Sequence, residues 1–353
     1  MLVLGIESSC DETAAAVVED GRCVRSSVVA SQHAIHAEYG GVVPELASRA
    51  HAERITPTIQ QAISEAGMVL DDIDAIAVGH RPGLIGALLV GVSAAKALAW
   101  SLDKPLIGVD HVHAHLWAGL LDTDPETKAD DVFPALGLVV SGGHSSIYRV
   151  DAPAKLIRLG ATIDDAVGEA YDKAAAILGL PHPGGPRIDQ LATEPDADDR
   201  AIDLPVSRLS KDSLDFSFSG LKTALLYAVR GVPGRDGTFP RELGELTSER
   251  VRDLAASFQR AACRAIGLKL TRAMEQWNGD PPRSLMVGGG VSANSRLRRE
   301  LYEFAQHHSL RLVLPDLAYC VDNAAMIAGL GGVLLDARGP DDLALRATPT
   351  TAC

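Results

Sequence analysis

The feature that most limits how this chain can fold is a pattern that occurs twice. Val3 to Ile6 is an apolar strand, Glu7-Ser-Ser-Cys-Asp-Glu-Thr13 a polar turn, and Ala14 to Val18 a second strand. The same order returns at Leu136 to Val140, Ser141-Gly-Gly-His-Ser145 and Ile147 to Val150. Strand, turn of small or polar residues, strand is the signature of a hairpin. Two copies far apart in one chain predict an internal duplication of two similar lobes. Between and after them, helical and strand-like segments alternate. Ala50 to Ala66 reads as a helix ending at Gly67, Ala75 to Gly79 as a buried strand, Leu285 to Val287 and Leu310 to Leu314 as strands, and Asp322 to Leu335 as a helix. This alternation predicts an α/β fold with mainly parallel sheets. The acidic, proline-containing stretch Asp122 to Asp131 is the expected lobe boundary, and Leu191 to Asp203 and Gly231 to Pro240 read as further loops. The expected division is a first lobe over 1–121, completed by a returning segment 320–353, and a second lobe over 132–319.

A chain of 353 residues with 46% hydrophobic residues has room for two cored domains. Its five cysteines (Cys10, Cys23, Cys263, Cys320 and Cys353) are scattered and form no C-x-x-C pair. That pattern fits the reducing cytoplasm and not a disulfide framework. The opening MLVLGIESSCDE is too short and too acidic for a signal peptide. The longest apolar run, Leu84 to Leu102, contains Lys96 and two glycines, which predicts a buried core helix and no membrane span. A net charge of −13 disfavours a protein that grips nucleic acid alone. Arg296, Arg298 and Arg299 form the densest basic cluster, either a solvated helix face or a local patch for phosphates.

Chemistry concentrates in Gly108 to Leu116, GVDHVHAHL. His111 and His115 are four residues apart just after an apolar strand, so on a helix both imidazoles share one face, whereas His113 points elsewhere. Asp322, in Tyr319-Cys-Val-Asp-Asn323, offers a carboxylate if the last helix folds back on the first lobe. Two histidines and one carboxylate suit iron(II), or zinc with a bound water; the same histidines also suit a capped, half-buried helix start. H-E-x-x-H is absent, which excludes a metalloprotease of that type.

Glycine turns follow two strands, at Ser141-Gly142-Gly143-His144 and Gly288-Gly289-Gly290. Glycines let backbone N–H groups approach an anion, and the second turn leads through Asn294 into a helix start that would favour phosphate. Two such turns on opposite lobes would clamp a nucleotide between them, with the Asn294 amide offering a donor and an acceptor to an adenine or ribose edge. Neither a Walker sequence nor G-x-G-x-x-G occurs. Thr162 to Gly179 is amphipathic, with Asp165, Glu169 and Asp172 on its polar side. Pro183-Gly-Gly-Pro186 then makes a rigid turn able to seat a ribose, with Asp189 just beyond. Asp215-Phe-Ser-Phe-Ser-Gly-Leu-Lys-Thr223 is either a ligand contact or a strand feeding a helix. His36 to His51 reads as a loop entering a helix, where Glu45 and Arg49 are spaced for an ion pair.

These stretches resemble the tRNA N6-adenosine threonylcarbamoyltransferase family (TsaD, formerly called a glycoprotease). The matching segments are GIESSCDET, HAEYGGVVPELASRAH, PGLIGALLVG, VDHVHAHL, LVVSGGHSS, DDAVGEAYDK, PGGP, DFSFSGLKT, GGGVSAN and CVDNAAMIA, in the family's order from Leu4 to about Ala328. The resemblance implies an α/β, two-lobed, duplicated fold like actin, the heat-shock ATPases and sugar kinases (the ASKHA fold). It implies transfer of a threonylcarbamoyl group from threonylcarbamoyl-AMP to the exocyclic amine of the adenosine beside the anticodon in tRNAs reading ANN codons. It assigns His111, His115 and Asp322 to a divalent metal, iron(II) in the family's usual description. It assigns Val139, Val140, Ser141, Gly142, Gly143, Asp172, Gly185, Asn294 and, more weakly, Asp189 to substrate. No general base is assigned; Asp11 and Glu12 are candidates from their place in the first hairpin turn. The implied partners are tRNA, a paralogous (TsaB-like) subunit on the first lobe and a small (TsaE-like) ATPase, and the face offered to the paralogue is expected to be helical and apolar, including Ala50 to Ala66. A non-catalytic nucleotide-dependent scaffold is the competing reading. Two stretches depart from the family pattern: His80-Arg81 before Pro82, and the tail LALRATPTTAC, which lacks the usual basic character.

Overall fold

The computed structural model describes residues 1–351 except 40, 124–128, 208 and 242–245. The expected boundary at Asp122 to Asp131 lies partly, and Cys353 wholly, outside the described residues. Two five-stranded sheets organise the chain. The first contains β1 (Leu2–Glu7), β2 (Glu12–Glu19), β3 (Cys23–Ser31), β4 (Ala75–Arg81) and β5 (Leu106–Asp110), in the order β3-β2-β1-β4-β5. The second contains β6 (Ala135–Val140), β7 (Ser145–Ala152), β8 (Lys155–Ala161), β9 (Ser284–Gly288) and β10 (Arg311–Val313), in the order β10-β9-β6-β7-β8. In both, the first three strands form an antiparallel meander and the last two run parallel to the first. The two orders are one topology repeated, as the duplicated hairpins predict.

The helices in chain order are α1 (His33–His36), α2 (Pro44–Glu65), α3 (Ile85–Leu102), α4 (His111–Trp117), α5 (Ala129–Val132), α6 (Val167–Ile177), α7 (Gly184–Ala192), α8 (Ser219–Arg230), α9 (Ser248–Glu275), α10 (Ser295–His307) and α11 (Ala324–Arg338). Strand side chains alternate between faces, and the first sheet shows it. Leu4, Ile6, Ile76 and Val78 pack with Ile55, Ile59 and Val92 of α2 and α3. Val3, Ala77, Ile107 and Val109 pack on the other face with Met326 and Ile327 of α11. That second layer continues into Val139, Met286 and Val313 of the other sheet, so α4 and α11 lie in an apolar seam shared by both lobes. A Cβ at Gly5 would strike the Ala324 carbonyl, which shows how closely α11 lies on β1.

Two expectations need correction. α2 starts at Pro44, not near Ala50, because proline is preorganised for the first helical turn, where its missing N–H has no partner to lose. Glu45 and Arg49 share that helix without forming an ion pair. α3 is not a buried core helix. Only a third of it is buried, and Ile85, Leu89 and Trp100 are 47%, 52% and 75% exposed. It is long and apolar enough to cross a membrane, yet Val92, Ala95 and Ala99 hold one side of it against the first sheet. Its composition reads as core because its outward face is apolar as well.

Candidate active site

β5 ends at Asp110, whose side chain caps α4: Oδ1 accepts N–H bonds from Val112 (3.0 Å) and His113 (3.3 Å). The helix so started brings His111 and His115 together, their rings edge-to-face with centroids 4.7 Å apart. Asp322 arrives just before α11, where Asn323 makes the N-cap by accepting from the Met326 N–H at 2.9 Å. Asp322 Oδ1 lies 3.2 Å from His115 Nε2 and 3.5 Å from His111 Nε2, and the three ligand atoms fall within 4.8 Å of one another. His113 turns away, as its position on the helix requires, and meets the edge of Tyr148.

These residues fit a divalent ion. His115 is fully buried, and neither of its ring nitrogens makes a directed hydrogen bond. A buried ring nitrogen without a well-directed hydrogen bond is costly, and an ion held by His111, His115 and Asp322 would satisfy the one that faces Asp322. On the far side of His111, Nδ1 lies 3.0 Å from Glu7 Oε2 and 3.2 Å from Ser9 Oγ. Glu7 is fully buried, and its other oxygen accepts the Ser9 N–H at 2.5 Å. A carboxylate behind a ligating histidine fixes ring orientation and tautomer. The sequence reading passed over Glu7 as a turn residue, although its place at the end of the first strand of the duplicated hairpin was a usable signal.

Without a metal, burial disfavours charge on His111, but the carboxylates of Glu7 and Asp322 outweigh it and raise its pKa well above the usual value. Burial keeps His115 low. Burial pushes Asp322 up, but His111 and His115 outweigh it and hold the carboxyl well below its ordinary range. Glu12, in the neighbouring turn, is pushed up to about 9 by burial and by the charges of Asp11 and Asp322.

Across the seam, Val139 and Val140 are fully buried and deliver the glycine turn. Ser141 N–H donates to the His144 carbonyl at 2.7 Å and His144 N–H donates to Ser141 Oγ at 3.1 Å, which closes the turn. The carbonyls of Ser141 and Gly142 accept the Gly168 and Glu169 N–H groups, each at 3.2 Å, seating the turn on the start of α6. Gly142 and Gly143 are exposed, and a Cβ at either would touch nothing within 4 Å. Asp172 reaches from α6 to accept the Gly184 N–H at 2.7 Å, while Gly185 beside it is open.

Asp189 and Asn294 meet in one hydrogen-bonded network. Asp189 accepts from Gln259 Nε2 (2.9 Å), Asn294 Nδ2 (3.1 Å), and the backbone N–H (3.1 Å) and hydroxyl (2.7 Å) of Ser295. Asn294 also donates to Gln259 Oε1 at 2.8 Å and caps α10 by accepting the Leu297 N–H at 2.9 Å. The Asn294 side chain is thus engaged through both its nitrogen and its oxygen. Gln259, buried on α9 and absent from the sequence reading, completes this network.

The two glycine turns do not lie on opposite lobes: they follow β6 and β9, neighbouring strands of the second sheet, and the second turn serves the protein's own backbone. A Cβ at Gly288 would overlap the His115 carbonyl, and one at Gly289, which has φ +94°, would overlap the Val140 carbonyl. The turn thus holds the helix of His111 and His115 against the end of β6 at Val140. Only Gly290 is open. The basic cluster is largely engaged: Arg296 pairs with Asp199 and Glu300, and Arg298 donates to the carbonyls of Ser292 and Pro315. In the Asp215–Thr223 motif, Phe216 and Phe218 are buried, both serines donate to Asp164, and Lys222 pairs with Asp165. That motif is a helix entry. His36 and His51 are satisfied internally, His51 joining Thr13 and the Cys10 carbonyl. A concavity of about 820 Å³ between α9 and α10, lined by residues such as Arg264, Phe304 and His308, contains none of the candidate site residues.

Residues 23–329 match the model of the family described as TsaD, tRNA N6-adenosine threonylcarbamoyltransferase. A protein of that name from Trichlorobacter lovleyi is 51% identical over 350 residues, covering 99% of this chain and 96% of its own. Another from Geobacter sp. (strain M21) is 50% identical, covering 95% and 92%. Among solved structures, the (R)-2-hydroxyglutaryl-CoA dehydratase component A of Acidaminococcus fermentans superposes with a TM-score of 0.51 at 12% identity, covering 95% of this chain and 99% of that one. This last likeness is one of fold alone.

Proposed function

Because the chain belongs to the tRNA N6-adenosine threonylcarbamoyltransferase family, we propose that it transfers the threonylcarbamoyl group of threonylcarbamoyl-AMP to the exocyclic amine of the adenosine next to the anticodon in tRNAs reading ANN codons. The observation that carries this reading is the His111, His115 and Asp322 cluster, held by the Gly288–Gly289 turn against the strand that ends in the open Ser141–Gly143 turn. In this reading the two lobes are 1–121 with 320–353, and 132–319. His111, His115 and Asp322 hold one divalent ion, iron(II) in preference to zinc. Such an ion supplies Lewis acidity toward an acyl or phosphoryl oxygen when bound.

The chain's own residues do the rest. Glu7 fixes the ring of His111. The open face at Gly142 and Gly143 receives the adenylate, whose ribose lies toward Asp172 and Gly185. Asp189 and Asn294 act one step back, holding the start of α10 and the turn before it. Asp11 and Glu12, in the first hairpin turn, are the candidates to take the proton of the attacking amine as AMP leaves.

Partners complete the substrate grip. The exposed apolar stripe Ile85, Leu89 and Trp100 on α3, beside α2, suits a paralogous subunit docking by its own first lobe. A small ATPase would reset the cycle. With a net charge of −13 and Arg296 and Arg298 engaged internally, the tRNA phosphates need basic surface from those partners. The four cysteines among the described residues are free, in keeping with action in the cytoplasm. The test is multiple-turnover formation of threonylcarbamoyladenosine from the adenylate and tRNA, by the chain alone and with its partners at equal salt. Modified nucleoside forming at a higher rate with partners is the expected result. No modified nucleoside under either condition would overturn the transferase reading, and equal rates would remove the need for partners.

A further inference from the structure

His80-Arg81 and the C-terminal segment, the two stretches that depart from the family pattern, meet in the structure. β4 and β5 change register between Gly79, which pairs with Val109, and Arg81, which pairs with Asp110, so His80 is an extra residue bulged out of the ladder. The tail holds that bulge. His80 Nδ1 lies 2.9 Å from the Arg346 carbonyl, and the His80 carbonyl accepts the Thr348 N–H at 2.9 Å. The same tail grips β5. Asp341 bridges to Leu106, its carboxylate accepts the Gly108 N–H at 2.8 Å, and Leu345 lies over Gly108.

Both sides of the metal cluster are referenced to this segment. Arg338, the last residue of α11, donates to the Gly108 carbonyl at 3.0 Å and pairs with Asp341 at 2.9 Å. α11 carries Asp322 just ahead of its other end. On the opposite side, Arg81 Nε lies 3.2 Å from Asp110 Oδ2, and the second oxygen of this carboxylate caps the helix of His111 and His115. The Asp110 side chain is 4% exposed, so Arg81 is the counter-charge of a buried cap. Removing one partner of a buried pair leaves the other charge uncompensated.

We infer that Arg81 and the segment Asp341–Pro349 form a strap that fixes the β5–α4 junction and the end of α11, and so sets the distance from His111 and His115 to Asp322. Arg81 is a positioning residue: it acts on the metal site through Asp110. This inference rests on the reading of those three residues as metal ligands.

The experiment is zinc titration of the metal-free full chain against a competing chelator, alongside circular dichroism. Arg81→Met is expected to keep the wild-type helix content and to bind zinc about tenfold more weakly, the low end of what outer partners of metal ligands contribute. Arg81→Lys, which retains the charge, should recover part of the loss. Thr348→Pro removes one strap donor far from the ligands and should weaken zinc in the same direction; it carries the test if Arg81→Met does not fold. Zinc affinity equal to wild type in folded Arg81→Met or, failing that variant, in Thr348→Pro would overturn the strap, as would equal losses in the Lys and Met variants. A wild-type chain that binds no zinc or iron would overturn the metal reading itself, and the strap with it.

Discussion

The two hairpin turns occupy equivalent places in one repeated topology, yet they are built for opposite purposes. The first-lobe turn is closed and charged: Glu7, Ser8 and Ser9 are buried, and Glu7 and Ser9 face His111. The second-lobe turn is open and made of glycine, with nothing over Gly142 or Gly143. Duplication supplied two similar scaffolds. In the proposed function one turn supports a metal ligand and the other receives the adenylate, and the difference lies in a few side chains at the end of the first strand of each sheet.

The largest expected contrast comes from adding a methyl group to each kind of glycine. Gly288→Ala forces a Cβ into the His115 carbonyl and should cost about 3 kcal/mol or more, since the neighbouring atom is backbone and cannot swing away. Gly142→Ala meets open space and should change stability by less than about 0.5 kcal/mol. Denaturant unfolding of both variants checks this; similar losses would erase the distinction between packed and open glycines.

A smaller contrast separates the functions of the two turns. Glu7→Gln should weaken metal binding about 10- to 100-fold by loosening His111, with the adenylate site intact. Gly143→Val should do the reverse, retaining metal while losing affinity for AMP. If Gly143→Val bound AMP as tightly as wild type, the adenylate would have to lie elsewhere.

The smallest effect concerns pH. His144, at the end of the second turn, is lowered to about 4 by burial and then by His111 and His115. Its unfolded form takes up a proton near pH 6.5 while its folded form resists until about pH 4. The stability tied to neutral His144 is therefore present above pH 6.5 and lost as pH falls toward 4. In the metal-free chain, melts of His144→Gln should depend less on pH across that window than those of wild type. An unchanged slope would show that this histidine does not titrate differently on folding.

The sequence made the repeated hairpins and the shared face of His111 and His115 legible because each is a local pattern of period, spacing or composition, whereas Asp322 joined them only through the family resemblance. What it hid depends on partners far away in the chain. Glu7 meets His111 across 104 residues, and Asp189 meets Asn294 across 105. Nothing near either residue marks those meetings. The same blindness made the arginines of α10 look available and the glycines after β9 look like an anion cradle, whereas their neighbours in space had already engaged them. α3 was misread for a different reason: its apolar outer face follows the same composition rule as a buried one, and only the fold shows which side is left uncovered.

The central claim, that one divalent ion held by His111, His115 and Asp322 serves the transfer, is tested most directly by metal content and tRNA modification in the same preparations. Elemental analysis of wild type, His111→Ala and His115→Ala, purified in parallel and assayed with the partner proteins, gives both quantities. The account predicts bound metal and modified tRNA in the wild type and the loss of both in each variant, with the chains still folded. Full metal content in both variants would contradict it.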